Sequence, residues 1–217
     1  MKSVQAFISY SHHDNTIAGE ISAVFRAYFG FDTFLAHDDL SISDDFPKEV
    51  KKHLGTADYV VPLISSNFLC SAFANQEIGL ALSWGKKILP ISIDGTNPPG
   101  FIKDSQARKF HDLSEDSLIR VVSEIFFLSF HHPKYKEYKS KCVEGLVKAF
   151  CQSKHFKITS VTVDVMIEVK KGASFSNEQI ELMKKAIKNN SQIYSADLVM
   201  PKVRTFMKNC CGVTIDK

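Results

Sequence analysis

Apolar and polar positions along the chain fall into two regimes. Through residue 130, short runs of strand formers alternate with stretches of helical spacing. Val4-Gln5-Ala6-Phe7-Ile8-Ser9-Tyr10 reads as a first strand, because β-branched and aromatic residues bounded by turn formers favour extended chain. It runs into Ser11-His12-His13-Asp14. Ile17, Ile21, Val24, Phe25, Tyr28 and Phe29 then recur at three- and four-residue steps, which predicts a helix capped by Asp14 and stopped by Gly30. Asp32-Thr33-Phe34-Leu35-Ala36 is a second strand, and a helix opens near Pro47 and ends around Leu54-Gly55. Asp58 to Ile64 is almost continuously apolar, the pattern of a strand buried on both faces. A helix over Ala72 to Trp84, a fourth strand at Lys87–Ile93, a weak fifth near Arg108–Phe110 and a helix over Glu115–Phe130 complete this part. The alternation predicts an α/β domain over residues 1–130, with a five-stranded parallel sheet covered by helices on both faces. Such sheets bind ligands at the carboxyl ends of their strands, so the loops Ser9–Asp14, His37–Asp45, Ser65–Ser71 and Asp94–Phe101 are the ones to inspect.

Residues 131–217 read differently. A lysine-rich helix is expected from Tyr135 to Gln152. From Ile158 to Val169 the residues Val161, Val163, Val165, Ile167 and Val169 alternate with Thr162, Asp164, Met166 and Glu168, a period of two that predicts a strand. Ser176 opens a helix carrying Ile180, Met183 and Ile187, and a last helix covers Ala196 to Met207, with Pro201 near its first turns or kinking it. The reading is a smaller C-terminal α+β extension.

Charge sharpens the division. The net charge of +3 conceals 11 basic against 16 acidic residues in 1–130, net −5, and 16 against 8 in 131–217, net +8. The lysines of the second part alternate with apolar residues at helical spacing, without an arginine-rich run or aromatic stacking motif. That pattern fits a solvated face, or a face for an acidic protein, and argues against nucleic acid. Five cysteines, odd in number and irregularly spaced, exclude a disulfide framework and a zinc knuckle. No stretch approaches the ~20 apolar residues of a membrane span, and the start lacks the features of a secretory leader, so a cytoplasmic protein is expected.

Several chemistries are missing their signatures. No Gly-x-Gly-x-x-Gly follows a strand, and no Gly-x-x-x-x-Gly-Lys-Ser/Thr or Gly-x-Ser-x-Gly occurs. A phosphoacceptor receiver would need an acidic pair after the first strand and an aspartate ending the third; Ser11-His12-His13 and Ser65 stand there. The eight histidines lack metal-ligand spacing, so no metal is expected.

What remains resembles the TIR (Toll/interleukin-1 receptor) domain. Ala6-Phe7-Ile8-Ser9-Tyr10-Ser11 is similar to the first box of that family. Phe34 to Leu40, running on through Phe46 to Val50, is similar to its second strand and loop. Ser71-Ala72-Phe73-Ala74-Asn75-Gln76-Glu77 resembles the Ser-x-Trp-x-x-x-Glu segment, with Phe73 in place of tryptophan, and Lys87–Asp94 and Pro98–Phe101 continue the match. Within the family the chain looks most like bacterial TIR proteins, including those of antiphage systems of the Thoeris kind.

The resemblance implies a flavodoxin-like fold and cleavage of the nicotinamide–ribose bond of NAD+, with NAD+ as substrate and no further cofactor. It implies that Glu77 is catalytic and that Tyr10, Ser11 and His12 contact adenine, phosphate or ribose. It places His37, Asp38 and Phe46 on or beside a loop that gates the site and touches neighbouring copies. Ser71 either hydrogen-bonds the ribose or only caps the helix. The chemistry is coherent: a pyridinium is already a cationic leaving group, so one carboxylate that stabilises an oxocarbenium-like transition state suffices. Glu77 also has Phe73 and Ala81 at i−4 and i+4, an otherwise small or apolar face. The resemblance further implies self-association and a nucleotide product sensed by a separate effector. The alternative is a TIR–TIR scaffold without turnover.

Overall fold

The computed structural model describes residues 3–35, 46–105, 107–110, 114–131 and 136–215. They divide into two compact units, one built from residues 4–25 and 32–127, the other from 1–3, 26–31 and 128–217.

The first unit is a parallel sheet in the order β2-β1-β3-β5-β6, with β4 also paired to β3. Its strands are β1 (Gln5–Ser9), β2 (Asp32–Leu35), β3 (Tyr59–Ile64), β4 (Lys87–Ile88), β5 (Ile91–Ser92) and β6 (Arg108–Lys109). All six residues of β3 are buried, as a central strand covered on both faces requires. The expected fourth strand is present in two pieces that keep one register, Val60 against Ile88 and Leu63 against Ile91. The interruption falls where Pro62 and Pro90 stand in neighbouring strands. Pro62 has no N–H to give the ladder, so the pairing lapses over Leu89–Pro90 and resumes at Ile91, while Pro90 turns its backbone to β6, where its carbonyl accepts the Arg108 N–H. The sheet therefore has five positions.

The helices between the strands are α1 (Asn15–Phe29), α2 (Phe46–Thr56), α3 (Ser66–Cys70) and α4 (Ala72–Ser83), and α5 (Glu115–His131) follows the last strand. Phe7, Val60 and Ile64 of the sheet share a core cluster with Val50 and Leu54 of α2, Phe68 of α3, and Ala74, Ile78 and Ala81 of α4. At the edge strand, Phe34 stacks on His53 with ring centres 3.9 Å apart. Asp14 does not cap α1. It closes a 3-10 turn over His12–Asp14, and its side chain reaches across to the β3–α3 junction.

Among its described residues the second unit has helices and no strand: α6 (Lys136–Cys151), α7 (Phe156–Val169), α8 (Asn177–Asn189), α9 (Ser191–Tyr194) and α10 (Met200–Cys211), with the ends of α1 and α5. The strand expected at 158–169 is thus overturned; those residues form α7. The alternating valines were only part of its pattern. The buried positions are Thr159, Thr162, Val163, Val165, Met166 and Val169, largely three and four apart. Packing of that stripe overrides the β preference of branched side chains. Its buried threonines are satisfied, Thr162 Oγ1 donating to the Tyr28 carbonyl at 3.1 Å and Thr159 bonding Ser153 at 2.7 Å. α8 opens with a capping box in which Ser176 and Gln179 satisfy each other's backbone N–H. The last helix begins at Met200, later than expected, with Pro201 in its first turn, where a missing N–H costs nothing.

One contact in this unit admits only glycine. Gly30 ends α1 at φ +64°, and a Cβ built on it would lie 1.9 Å from the Gly145 carbonyl oxygen of α6. A Cβ on Gly145 would in turn lie 2.7 Å from the Phe29 carbonyl oxygen. The two backbones approach as closely as their lack of side chains permits.

Candidate active site

Strand alternation decides what β1 offers at its carboxyl end. Phe7 and Ser9 point to the same face, and Phe7 packs in the cluster that holds the inner stripe of α4. Ser9, two residues on and paired with Pro62 of β3, faces the same helix. α4 is started by Ser71, whose Oγ accepts the Ala74 N–H at 3.2 Å. Its buried stripe is Ala74, Glu77, Ile78 and Ala81. Glu77 therefore occupies a position where helical spacing calls for an apolar residue, and it is only 3% exposed.

Its carboxyl is held on one side. Ser9 Oγ donates to Glu77 Oε2 at 2.6 Å, and Oε1 has no hydrogen-bond partner among the described residues. Burial lifts the carboxyl from its ordinary 4.5 to about 8, against the opposing pull of the Ser9 hydrogen bond. At neutral pH such a group keeps its proton, and a positive charge brought beside it favours release. A buried acid with one uncommitted oxygen is suited to meeting a cation or a cation-like transition state.

Two further networks brace the same rim. Asp14 accepts from Ser65 Oγ at 2.6 Å and from Asn67 Nδ2 at 2.9 Å, while Ser65 Oγ accepts the Phe68 N–H and so caps α3. Asp94, following β5, accepts the backbone N–H groups of Ser66 at 2.8 Å and Thr96 at 2.9 Å. Burial pushes the Asp94 carboxyl up, but its hydrogen bonds with Ser66 and Thr96 outweigh that and hold it at about 2.

The other expected site residues are distributed unevenly. Tyr10 follows β1 with its ring fully buried. Ser11 precedes the 3-10 turn and is also buried, and His12 is exposed on that turn. Ser71 is the N-cap of α4, and Phe73, half-buried in its first turn, packs against the core cluster. His37 and Asp38 lie outside the described residues, and Phe46 is the first residue of α2. Sequence reasoning named the loops that begin or end on Ser9, Asp14, Ser65 and Asp94 but gave none of the four a role in the site; their place in those loops is the signal that marks them.

Among the described residues no cluster of His, Cys, Asp or Glu could hold a metal ion, and no helix is long and apolar enough to cross a membrane. A parallel sheet covered by helices, with polar networks and a buried acid at the carboxyl ends of its strands, defines an α/β domain. The family model for the TIR domain matches residues 6–122, more than half of the chain, and the chain belongs to that family. Among solved structures it is similar to the TIR domain of the Toll-related receptor TRR-2 from the lower metazoan Hydra magnipapillata. The identity is 16%, over 58% of this chain and 98% of that one, with a TM-score of 0.49. No curated protein sequence matches the chain.

Proposed function

We propose that this chain is an NAD+ nucleosidase or cyclase that breaks the bond between nicotinamide and ribose. The observation that supports it best is the placement of Glu77: buried on the inner stripe of α4, fixed through Oε2 by Ser9, with Oε1 uncommitted. In the reaction the C1′–N bond breaks and its electron pair goes to the pyridine nitrogen. The ribosyl cation is captured by water, giving ADP-ribose and a proton, or by a nucleophile within the nucleotide, giving a cyclic product. The nicotinamide leaves neutral, so no proton need be delivered to it. Glu77 as a carboxylate stabilises the positive charge that moves onto the ribose. The substrate's own pyridinium charge favours the ionised form that burial alone disfavours.

The resemblance to TIR proteins of bacterial antiphage systems supports a wider reading. The product is a signalling nucleotide released in the cytoplasm and read by a separate effector, and activity depends on self-association, which is common among TIR domains. The test is release of free nicotinamide by the full-length protein at low concentration and under crowding or enforced multimerisation, with Glu77→Ala alongside. Release that falls by roughly 10²–10⁴ in the variant supports the enzyme. No release from wild type in any of these conditions overturns it in favour of a TIR–TIR scaffold.

A further inference from the structure

Glu77 lies six residues after Ser71 in sequence, yet the serine that touches its carboxyl is Ser9, 68 residues away. Ser71 Oγ is committed to the Ala74 N–H as a helix cap. Ser9 is fully buried, is the last residue of β1, and is carried by backbone paired to β3. A donor mounted on a strand is held more rigidly than one on a loop.

A lone carboxyl on a helix turns freely about its last torsion, and its two oxygens are interchangeable. A single short donor to Oε2 removes that equivalence. We propose that Ser9 is the positioning residue of the site: its hydroxyl fixes the plane of the Glu77 carboxyl and assigns Oε1 as the oxygen presented to substrate. The inference rests on the reading of Glu77 as the NAD-cleaving acid. No other group competes for this role among the described residues. β1, β3, β4, α2 and α3 pack against α4, and they carry Lys48, Glu49, Lys51, Lys52 and His53 on α2, Tyr59 on β3, Cys70 on α3 and Lys87 on β4. None of these groups moves the Glu77 carboxyl; burial and the Ser9 hydroxyl alone do.

Ser9→Ala removes the donor at nearly constant volume, Ser9→Thr restores it, and Ser9→Cys replaces it with a weaker one. Two readouts are taken on full-length protein whose melting confirms that it is folded. The first is the titration of the Glu77 side-chain carboxyl by ¹³C NMR, assigned with Glu77→Gln, which needs no turnover. The second is the pH profile of nicotinamide release, with kcat and KM separated. Ser9→Ala is expected to move the titration and the kcat profile alkaline together by about one unit, roughly tenfold less ionised carboxyl below the midpoint. KM should hardly change, Ser9→Cys should fall between, and Ser9→Thr should return to wild type. If the Glu77 titration is unmoved in folded Ser9→Ala and Ser9→Cys, the positioning role is overturned, whatever the activity. If the titration moves but wild type releases no nicotinamide, Ser9 still governs the carboxyl and the NAD reading is the one that fails.

Discussion

Asp14 and Ser65, 51 residues apart, meet through a 2.6 Å hydrogen bond in which the serine donates. The bond ties the turn after β1 to the turn after β3, and the same Ser65 oxygen caps α3. The two strand ends on which the site depends are thus fastened to each other by side chains from the connecting turns.

That fastening is measurable. Asp14→Ala leaves Ser65 and Asn67 without their acceptor and should cost about 1–2 kcal/mol in urea unfolding. Ser65→Ala should cost more, because it also removes a helix cap. The double variant should cost less than the sum of the two, since the shared bond is counted twice. Simple additivity would show that the two residues act independently.

Glu77 gives the fold an unusual pH dependence. Its folded pKa, about 8, lies above the ordinary 4.5 that it takes when unfolded. Below 4.5 both states hold the proton; between 4.5 and 8 only the folded state does; above 8 neither does. Stability should therefore fall as pH rises through that window, by a few kcal/mol, and then level off. Glu77→Gln cannot titrate, so its urea midpoint should lose this fall and exceed that of wild type at pH ~8.5. An equally steep fall in the variant would assign the effect to another group.

Binding of the proposed substrate should expel that proton. Calorimetry of NAD+ binding near neutral pH, in buffers of different ionisation heat, should report proton release from wild type and none from Glu77→Gln. Equal proton counts would mean that the pyridinium does not approach the carboxyl.

Asp94 is displaced in the opposite direction. Its carboxyl sits at about 2, below the ordinary 3.8, so what it adds to stability is present above 3.8 and is lost as pH falls towards 2. Ser66→Pro removes one of its two backbone donors. Proline fits there because Ser66 is the first residue of α3 and Ser65 before it is extended, at φ −146° and ψ 171°. The variant should fold, and NMR should show the Asp94 midpoint move up towards 3.8. A midpoint that stays put would discount the Ser66 bond.

The glycine contact should tolerate nothing larger. Gly145→Ala forces a methyl to within 2.7 Å of the Phe29 carbonyl, and Gly30→Ala adds an unfavourable left-handed φ to an even closer clash. Each should destabilise by about 2 kcal/mol or more in thermal or urea melts, Gly30→Ala the more. A neutral Gly30→Ala would show that the two backbones separate without penalty.

How much was legible in the sequence varies with how local the cause is. The continuous apolar run of Tyr59–Ile64 announces a buried strand, because one strand's burial is written in its own residues. The break between β4 and β5 was not legible, since it comes from Pro62 on the neighbouring strand, and adjacency in a sheet follows from register. The α7 segment misled for a related reason. Its valines alternate, yet its burial follows Thr159, Thr162, Val163 and Met166, a stripe that only its packing selects. Glu77 could be picked out by the resemblance of Ser71–Glu77 to the Ser-x-Trp-x-x-x-Glu segment of the TIR family. Its inward placement could be guessed from Phe73 and Ala81, but its partner could not, because Ser9 arrives from another strand.

The pairing of Gly30 with Gly145 also sets an order on synthesis. Gly30 leaves the ribosome 115 residues before Gly145 does, so the last turn of α1 is made long before the surface that it fits. A gene shortened after residue 127 would never supply that surface. The last turn of α1 consequently belongs with the basic helical region, in which Gly145 supplies the backbone that Gly30 fits.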